Sequence, residues 1–270
     1  MQHGTALELP TEKILARKAD GIGWLTFNQP ERRNAISLAM WDAVALAAED
    51  FARDPEVRVV VMSGAGGKAF ASGADISEFE KARADADAEQ EYARHSSRAR
   101  ELLAGLEVPL IAMIQGYCIG GGMATALQAD LRIASSDSRF GIPAARLGVS
   151  YGYTALERLT ALAGPALAKE VMFLGRHYTA AQALTMRLVN QVVEPDQLLA
   201  TVEGIAGEIV RNAPLSIRAS KIAIDQIAGD PARRDPALVE AANRACFDSA
   251  DYREGRRAFM EKRTPRFQGR

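Results

Sequence analysis

The sequence predicts an α/β core followed by a helical region, and three observations carry that reading. Short apolar runs bounded by glycine or proline alternate with stretches of helical periodicity as far as about residue 194. After Pro195 only helical patterns remain. No internal repeat of fixed period stands out, so a solenoid or propeller is not indicated. The natural division is 1–195 for the core and 196–270 for the helices.

The elements follow in order. "KILARKADGIGWLTFNQP" reads as two strands joined at Asp20-Gly21, a strong hairpin signal, with Pro30 closing the second. "SLAMWDAVALAAEDFARD" has apolar residues at helical spacing behind Ser37, a suitable N-cap. "VRVVVMSG" is a nearly continuous apolar run, as in a strand buried on both faces. The segment "GAGGKAFASGADISEFEKARADADAEQEYARHSS" starts as a glycine-rich loop, and its polar second half predicts a mobile, solvated helix. "RARELLAGLEV" predicts a separate helix, and "PLIAMIQG" and "LRIAS" predict strands. "ALERLTALAG", "PALAKEVMFLG" and "TAAQALTMR" predict short helices, broken at Gly164 and at the "RHY" turn. "LVNQVVE" is the last expected strand. The expected C-terminal helices are Asp196 to Arg211, Leu215 to Ile227, Pro236 to Phe247 and Asp251 to Arg263.

Composition removes several classes of function. The chain has 270 residues, with 33 Lys and Arg against 34 Asp and Glu, so nothing draws it globally to nucleic acid or an anionic membrane. The two cysteines, Cys118 and Cys246, and the three histidines lack metal-ligand spacing, so no metal is expected. "MQHGTALELPTEK" contains no apolar core of signal-peptide length, and no run reaches the ~18 apolar residues of a membrane span. A soluble, cytoplasmic protein is the expectation.

Two glycine-rich junctions carry the chemistry: "AFASGADI" and "GYCIGGGMATALQAD". Neither binds a nucleotide in a standard way. A dinucleotide fingerprint starting at Gly120 needs glycine at position 125, which is Thr125. A phosphate loop around Lys68 needs glycine at Met62 and a hydroxyl at Ala69. Each junction can instead present free backbone N–H groups at a strand-to-helix turn. Two such donors aimed at one point form an oxyanion hole. Tight turns that only permit close packing are the plainer alternative.

Taken with "FNQPERRNAIS", "FGIPAARLGV", "YTAAQALTMRLVNQVV" and "DYREGRRAFMEKRTPRF", these junctions resemble the crotonase superfamily of enoyl-CoA hydratases and isomerases along nearly the whole chain. The resemblance implies a crotonase-like spiral of ββα units with a C-terminal helical trimerisation region. It also implies homotrimers or dimers of trimers, and acyl-CoA thioesters as substrates, with coenzyme A part of the substrate and no separate cofactor. Carried onto this chain, the oxyanion donors are the N–H groups of Ala74 and Gly121. The surrounding Ala71, Ser72, Asp75 and Ile76 become CoA-site residues.

The sequence departs from that family where hydratases place two glutamates: the positions are Ala124 and Ala144. Alanine cannot hold or move a proton, so the usual route of hydration is missing its acid and base. Tyr151, thirty residues after Gly121, gives the chain a resemblance to the methylmalonyl-CoA decarboxylase branch, in which such a tyrosine positions the departing carboxylate. Two readings of Tyr151 stay open: that role, or simple lining of an acyl pocket together with Tyr153. Glu78, Glu80, Glu157 and Asp75 are further carboxylates near these motifs, more in keeping with a solvated surface. Asp130 reads as structural.

Phosphates of CoA call for cations. The candidates are Arg32 and Arg33, and, in the last helix, Lys262 and Arg263. The resemblance implies that this helix contributes to a neighbouring subunit's CoA site, with an apolar contact at Phe259. Residues 253–270 hold seven Lys or Arg against two Glu, which also suits a solvated helix face. No aromatic stacking platform supports a nucleic-acid reading. A catalytically silent acyl-CoA-binding protein is the alternative to an enzyme.

Overall fold

The computed structural model describes residues 4–75 and 86–270. β1 (Thr5–Ala6), β2 (Ile14–Ala19) and β3 (Ile22–Phe27) form an antiparallel start. Asp20 and Gly21 take φ of 53° and 78°, the left-handed backbone a two-residue hairpin turn needs. From β3 onward the large sheet runs parallel, through β4 (Val59–Gly64), β6 (Leu110–Ile114), β8 (Leu131–Ser135) and β11 (Gln191–Val193). Its order is β1-β2-β3-β4-β6-β8-β11.

A parallel sheet must be covered on both faces, and β4 shows how. Val60 and Met62 join the main core with Met40, Val44 and Phe51 of α1 (Leu38–Arg53). Val59 and Val61 pack with Leu198, Val202 and Ala206 of a later helix, Leu198–Arg211. Alternate residues therefore meet apolar neighbours on opposite sides, and the strand reads as an unbroken apolar run.

The predicted caps and breaks form. Ser37 Oγ accepts from Met40 N–H at 3.3 Å. The polar segment and the next expected helix turn out to be one helix, α2 (Ala86–Ala104), not two. Its buried residues Tyr92, Ser96, Ala99 and Leu103 recur at helical spacing, so one stripe docks along its length. The expected polar helix begins partly in residues outside those described. α3 (Gly121–Ala126) and α4 (Ala144–Leu147) are short, and α5 (Tyr153–Leu174) breaks at Gly164, whose φ is 79°. α6 (Ala180–Thr185) opens on a capping box of Thr179 and Gln182. α7 (Leu198–Arg211), α8 (Pro214–Ala228), α9 (Pro236–Asp248) and α10 (Ala250–Glu261) complete the chain within a few residues of expectation. Asp130 is structural: its Oδ2 accepts from Leu110 N–H and from Lys221 Nζ, both at 2.7 Å.

A second sheet has no counterpart in the sequence expectations. It consists of β5 (Ala69–Ala71), β7 (Tyr117–Ile119), β9 (Arg139–Gly141) and β10 (Tyr178–Thr179), in the order β10-β9-β7-β5. Strands β5, β7 and β9 run parallel.

Cys118, on β7, is fully buried, and desolvation pushes its thiol above the ordinary range. Iodoacetamide at pH 8 is therefore expected to leave Cys118 unmodified in the folded protein and to label it after denaturation. Peptide mass spectrometry checks this, and labelling of the native protein would contradict the burial. Among the described residues, no helix is long and apolar enough to cross a membrane, and no three His, Cys, Asp or Glu are grouped to hold a metal.

Candidate active site

Strands β5 and β7 are neighbours and parallel, so the chain leaves both at the same edge. After β5 come Ser72, Gly73 and Ala74; after β7 come Gly120 and Gly121. The two turns touch. A β-carbon built on Gly73 would lie 3.8 Å from Gly121 N, and one on Gly121 would lie 3.9 Å from Gly73 Cα. Gly73 and Gly120 have φ of 107° and 56°, a region that favours glycine. Gly122 admits no side chain: its β-carbon would sit 2.2 Å from Ala71 O.

Among the described residues, neither amide of interest donates a hydrogen bond. Ala74 forms a single bridge with Ile36, in which Ile36 N–H donates to Gly73 O (2.8 Å) and Asp75 N–H to Ile36 O (3.1 Å). The Ala74 N–H takes no part in it. Gly121 is the first residue of α3, where an N–H has no acceptor within the helix.

The loop from Gln29 to Ile36 clamps this arrangement. Asn34 is wholly buried at φ 55°. Its Oδ1 accepts from Gln29 N–H (2.9 Å), and its Nδ2 donates to Ala65 O (3.0 Å) and Ala69 O (2.7 Å). Asp75 is 6% exposed and accepts from Gln29 Nε2 (2.9 Å) and Arg32 Nη1 (3.0 Å). Ser72 N–H donates to Arg33 O, and the Arg33 guanidinium lies 5.0 Å over the Tyr117 ring. The fold thus gathers Arg32, Arg33, Ala71, Ser72, Ala74, Asp75 and Gly121.

Other expected residues lie elsewhere. Ile76, Glu78 and Glu80 fall outside the described residues. Phe259, on α10, is 83% exposed and lines a cavity of about 340 Å³ with Leu215, Cys246 and Tyr252. Lys262 caps the same helix at φ 54°. The basic tail is partly neutralised within itself, since Arg263 pairs with Glu254 and Glu261, each at 2.6 Å.

Tyr151 does reach the junctions. Its hydroxyl lies 3.6 Å from the position a Gly120 β-carbon would take. Tyr153 and Glu157 are exposed. Ala124 and Ala144 are buried, and they belong to the same assembly. Ala124 N–H donates to Gly120 O (3.0 Å), and Gly120 N–H donates to Gly141 O (2.8 Å), three residues before Ala144.

One charged residue escaped the sequence reading. Arg100 on α2 lies over the buried Trp41 ring at 5.2 Å, and its Nη2 donates to Ser96 Oγ at 3.0 Å. Its signal was present: it stands four residues after Ser96 and beside Ala99, on the margin of the buried stripe.

The family model described as enoyl-CoA hydratase/isomerase matches residues 17–270. The chain belongs to that family. As a member of the enoyl-CoA hydratase/isomerase family it is similar to a short-chain-enoyl-CoA hydratase of Clostridium acetobutylicum, 35% identical over 93% of this chain and 95% of the relative. A crotonyl-CoA hydratase of Syntrophomonas wolfei is 33% identical over 95% of this chain and 98% of its own. The crystal structure of an enoyl-CoA hydratase/carnithine racemase from Magnetospirillum magneticum superposes with a TM-score of 0.92. It is 37% identical and covers 96% of this chain and 97% of that one. The crotonase fold expected from the motifs is the fold of this family member.

Proposed function

We propose that this family member binds an acyl-CoA thioester with its carbonyl oxygen on the N–H groups of Ala74 and Gly121. The observation that carries the reading is the contact between the two turns at the shared edge of β5 and β7. Removing a proton, or losing carbon dioxide, from the carbon beside a thioester leaves an electron pair that drives negative charge onto that oxygen. Two donors aimed there stabilise the enolate more than the neutral thioester, which lowers the barrier and does not merely tighten binding. Each such donor is worth roughly 3 kcal/mol.

The finer reading is a lyase that releases carbon dioxide from a malonyl-type acyl-CoA, the bonding electrons staying behind as the enolate, which then takes a proton from water. Ala124 and Ala144 offer no acid or base for adding water. Losing carbon dioxide needs no base in its first step. It needs the carboxylate held out of the thioester plane, and the Tyr151 hydroxyl, 3.6 Å from where a Gly120 β-carbon would lie, supports that role. Relatives named as hydratases make hydration the competing activity.

The test supplies crotonyl-CoA and methylmalonyl-CoA in parallel. Consumption of methylmalonyl-CoA is expected, with a Tyr151→Phe variant slower by roughly 10- to 100-fold, the worth of a hydrogen bond to a charged group. Rapid hydration of crotonyl-CoA with methylmalonyl-CoA untouched would refute the decarboxylase reading. An unaltered rate in Tyr151→Phe would leave the tyrosine as pocket lining. Tight acyl-CoA binding without turnover of either substrate would establish the silent binder instead.

A further inference from the structure

The direction of the Ala74 N–H is set by a residue of another segment. Gly73 O and Ala74 N–H belong to one planar trans peptide, so they point in opposite directions. Ile36 N–H donates to Gly73 O at 2.8 Å and fixes that plane from the far side. Beyond Ala74, Asp75 N–H donates back to Ile36 O at 3.1 Å. The wholly buried Ile36 thus grips the turn on both sides of the donor. A small shift of Ile36 swings the N–H off its target.

Ile36 is in turn held by a side chain of α2. The Tyr92 hydroxyl donates to Ile36 O at 2.9 Å. Tyr92 is buried, and its ring meets the Trp41 ring edge-on with centroids 6.5 Å apart. Trp41 stands on α1, which begins two residues after Ile36. The phenol is therefore braced against the helix that Ile36 leads into. A backbone carbonyl has two lone pairs, and the Asp75 N–H already spares Ile36 O from being a buried orphan. The second donor adds direction, because a carbonyl held on both lone pairs has little freedom to turn. A buried phenol needs an acceptor of its own, which a purely structural contact would also supply. Here that acceptor is the carbonyl that binds the residue after Ala74.

We propose that Tyr92 is a positioning residue for the oxyanion hole: through Ile36, its hydroxyl keeps the Ala74 N–H on the thioester oxygen. This rests on the reading that Ala74 and Gly121 receive that oxygen. A misaimed donor loses more against a charged enolate than against a neutral carbonyl, so Tyr92 acts on kcat more than on affinity.

Tyr92→Phe on the full chain keeps the ring and removes only the hydroxyl. The probe is butyryl-CoA labelled with carbon-13 at the thioester carbon, read by difference infrared spectroscopy. Bound to the unaltered protein, its C=O stretch is expected to fall below the value in water, and Tyr92→Phe is expected to give back part of that shift. On whichever of crotonyl-CoA and methylmalonyl-CoA is turned over, kcat is expected to fall roughly 10-fold, while the Kd of butyryl-CoA changes less than about 3-fold. Val202→Ala truncates the core on the opposite face of the large sheet and is expected to lower the denaturation midpoint with neither readout moved. An equal stretch and an equal kcat in Tyr92→Phe would overturn the positioning role and leave the two donors standing. Failure to bind butyryl-CoA, or a bound stretch as in water, would remove the oxyanion reading itself. A second measurement needs no variant: butyryl-CoA is expected to slow hydrogen exchange at Ile36 N–H, Asp75 N–H and the Tyr92 hydroxyl together. Slowing at the two amides without the hydroxyl would overturn the role of Tyr92.

Discussion

Replacing Gly122 by alanine is expected to cost at least about 100-fold in kcat/KM and roughly 1–3 kcal/mol of stability. The new methyl would lie 2.2 Å from Ala71 O, 2.7 Å from Ala71 C and 2.8 Å from Ala71 Cβ. None of these is the end of a flexible side chain. Ala71 ends β5, three residues before Ala74, and Gly122 directly follows Gly121. Relief of the clash therefore has to separate the two turns, by roughly 1 Å, and a displacement of that size is enough to misalign a reacting geometry. Steady-state kinetics with urea denaturation measures both effects. Gly204 in α7 supplies the control, because a β-carbon there meets nothing within 4 Å. Gly204→Ala should stabilise by up to about 1 kcal/mol through helix propensity. Full activity in Gly122→Ala would show that the close approach of β5 and α3 is not needed for catalysis.

Asn34→Ala is expected to destabilise the protein by about 3–5 kcal/mol, enough to unfold a marginal domain. The substitution strands Gln29 N–H, Ala65 O and Ala69 O, each bonded to the wholly buried Asn34 side chain. It also places alanine at φ 55°, where a β-carbon crowds the following carbonyl. Asn34→Gly separates the two causes. It relieves the backbone but restores no hydrogen bond, so it should recover only about 1 kcal/mol of the loss. Denaturant midpoints read the difference. If alanine proved as stable as asparagine, the loop carrying Arg32 and Arg33 would be held by other contacts than these.

Asn34 also marks a limit of the sequence. "RRNAIS" shows an asparagine in a polar turn, which suits a left-handed backbone. Nothing in the string shows that its amide reaches Ala65 and Ala69, more than thirty residues away. Arg100 is similar. Its helix and its position beside a buried stripe are local facts, whereas its standing next to Trp41 of another helix is not. The polar stretch before it misled in another way. High polarity predicted a separate, solvated helix, yet four residues at helical spacing are enough to dock α2 as one piece.

Sequence alone determined the elements whose signals lie within a few residues. These include the Asp20-Gly21 hairpin, the Ser37 cap, the doubly buried β4, the break at Gly164 and the C-terminal helices. It also determined that alanine stands at 124 and 144, which is a matter of identity and not of shape. Tertiary structure alone decided the second sheet. β5, β7 and β9 have three residues each, too few for any period to show, and they exist because each neighbour completes the other's backbone hydrogen bonds. That pairing sets the two glycine turns side by side, since strands that run together also end together.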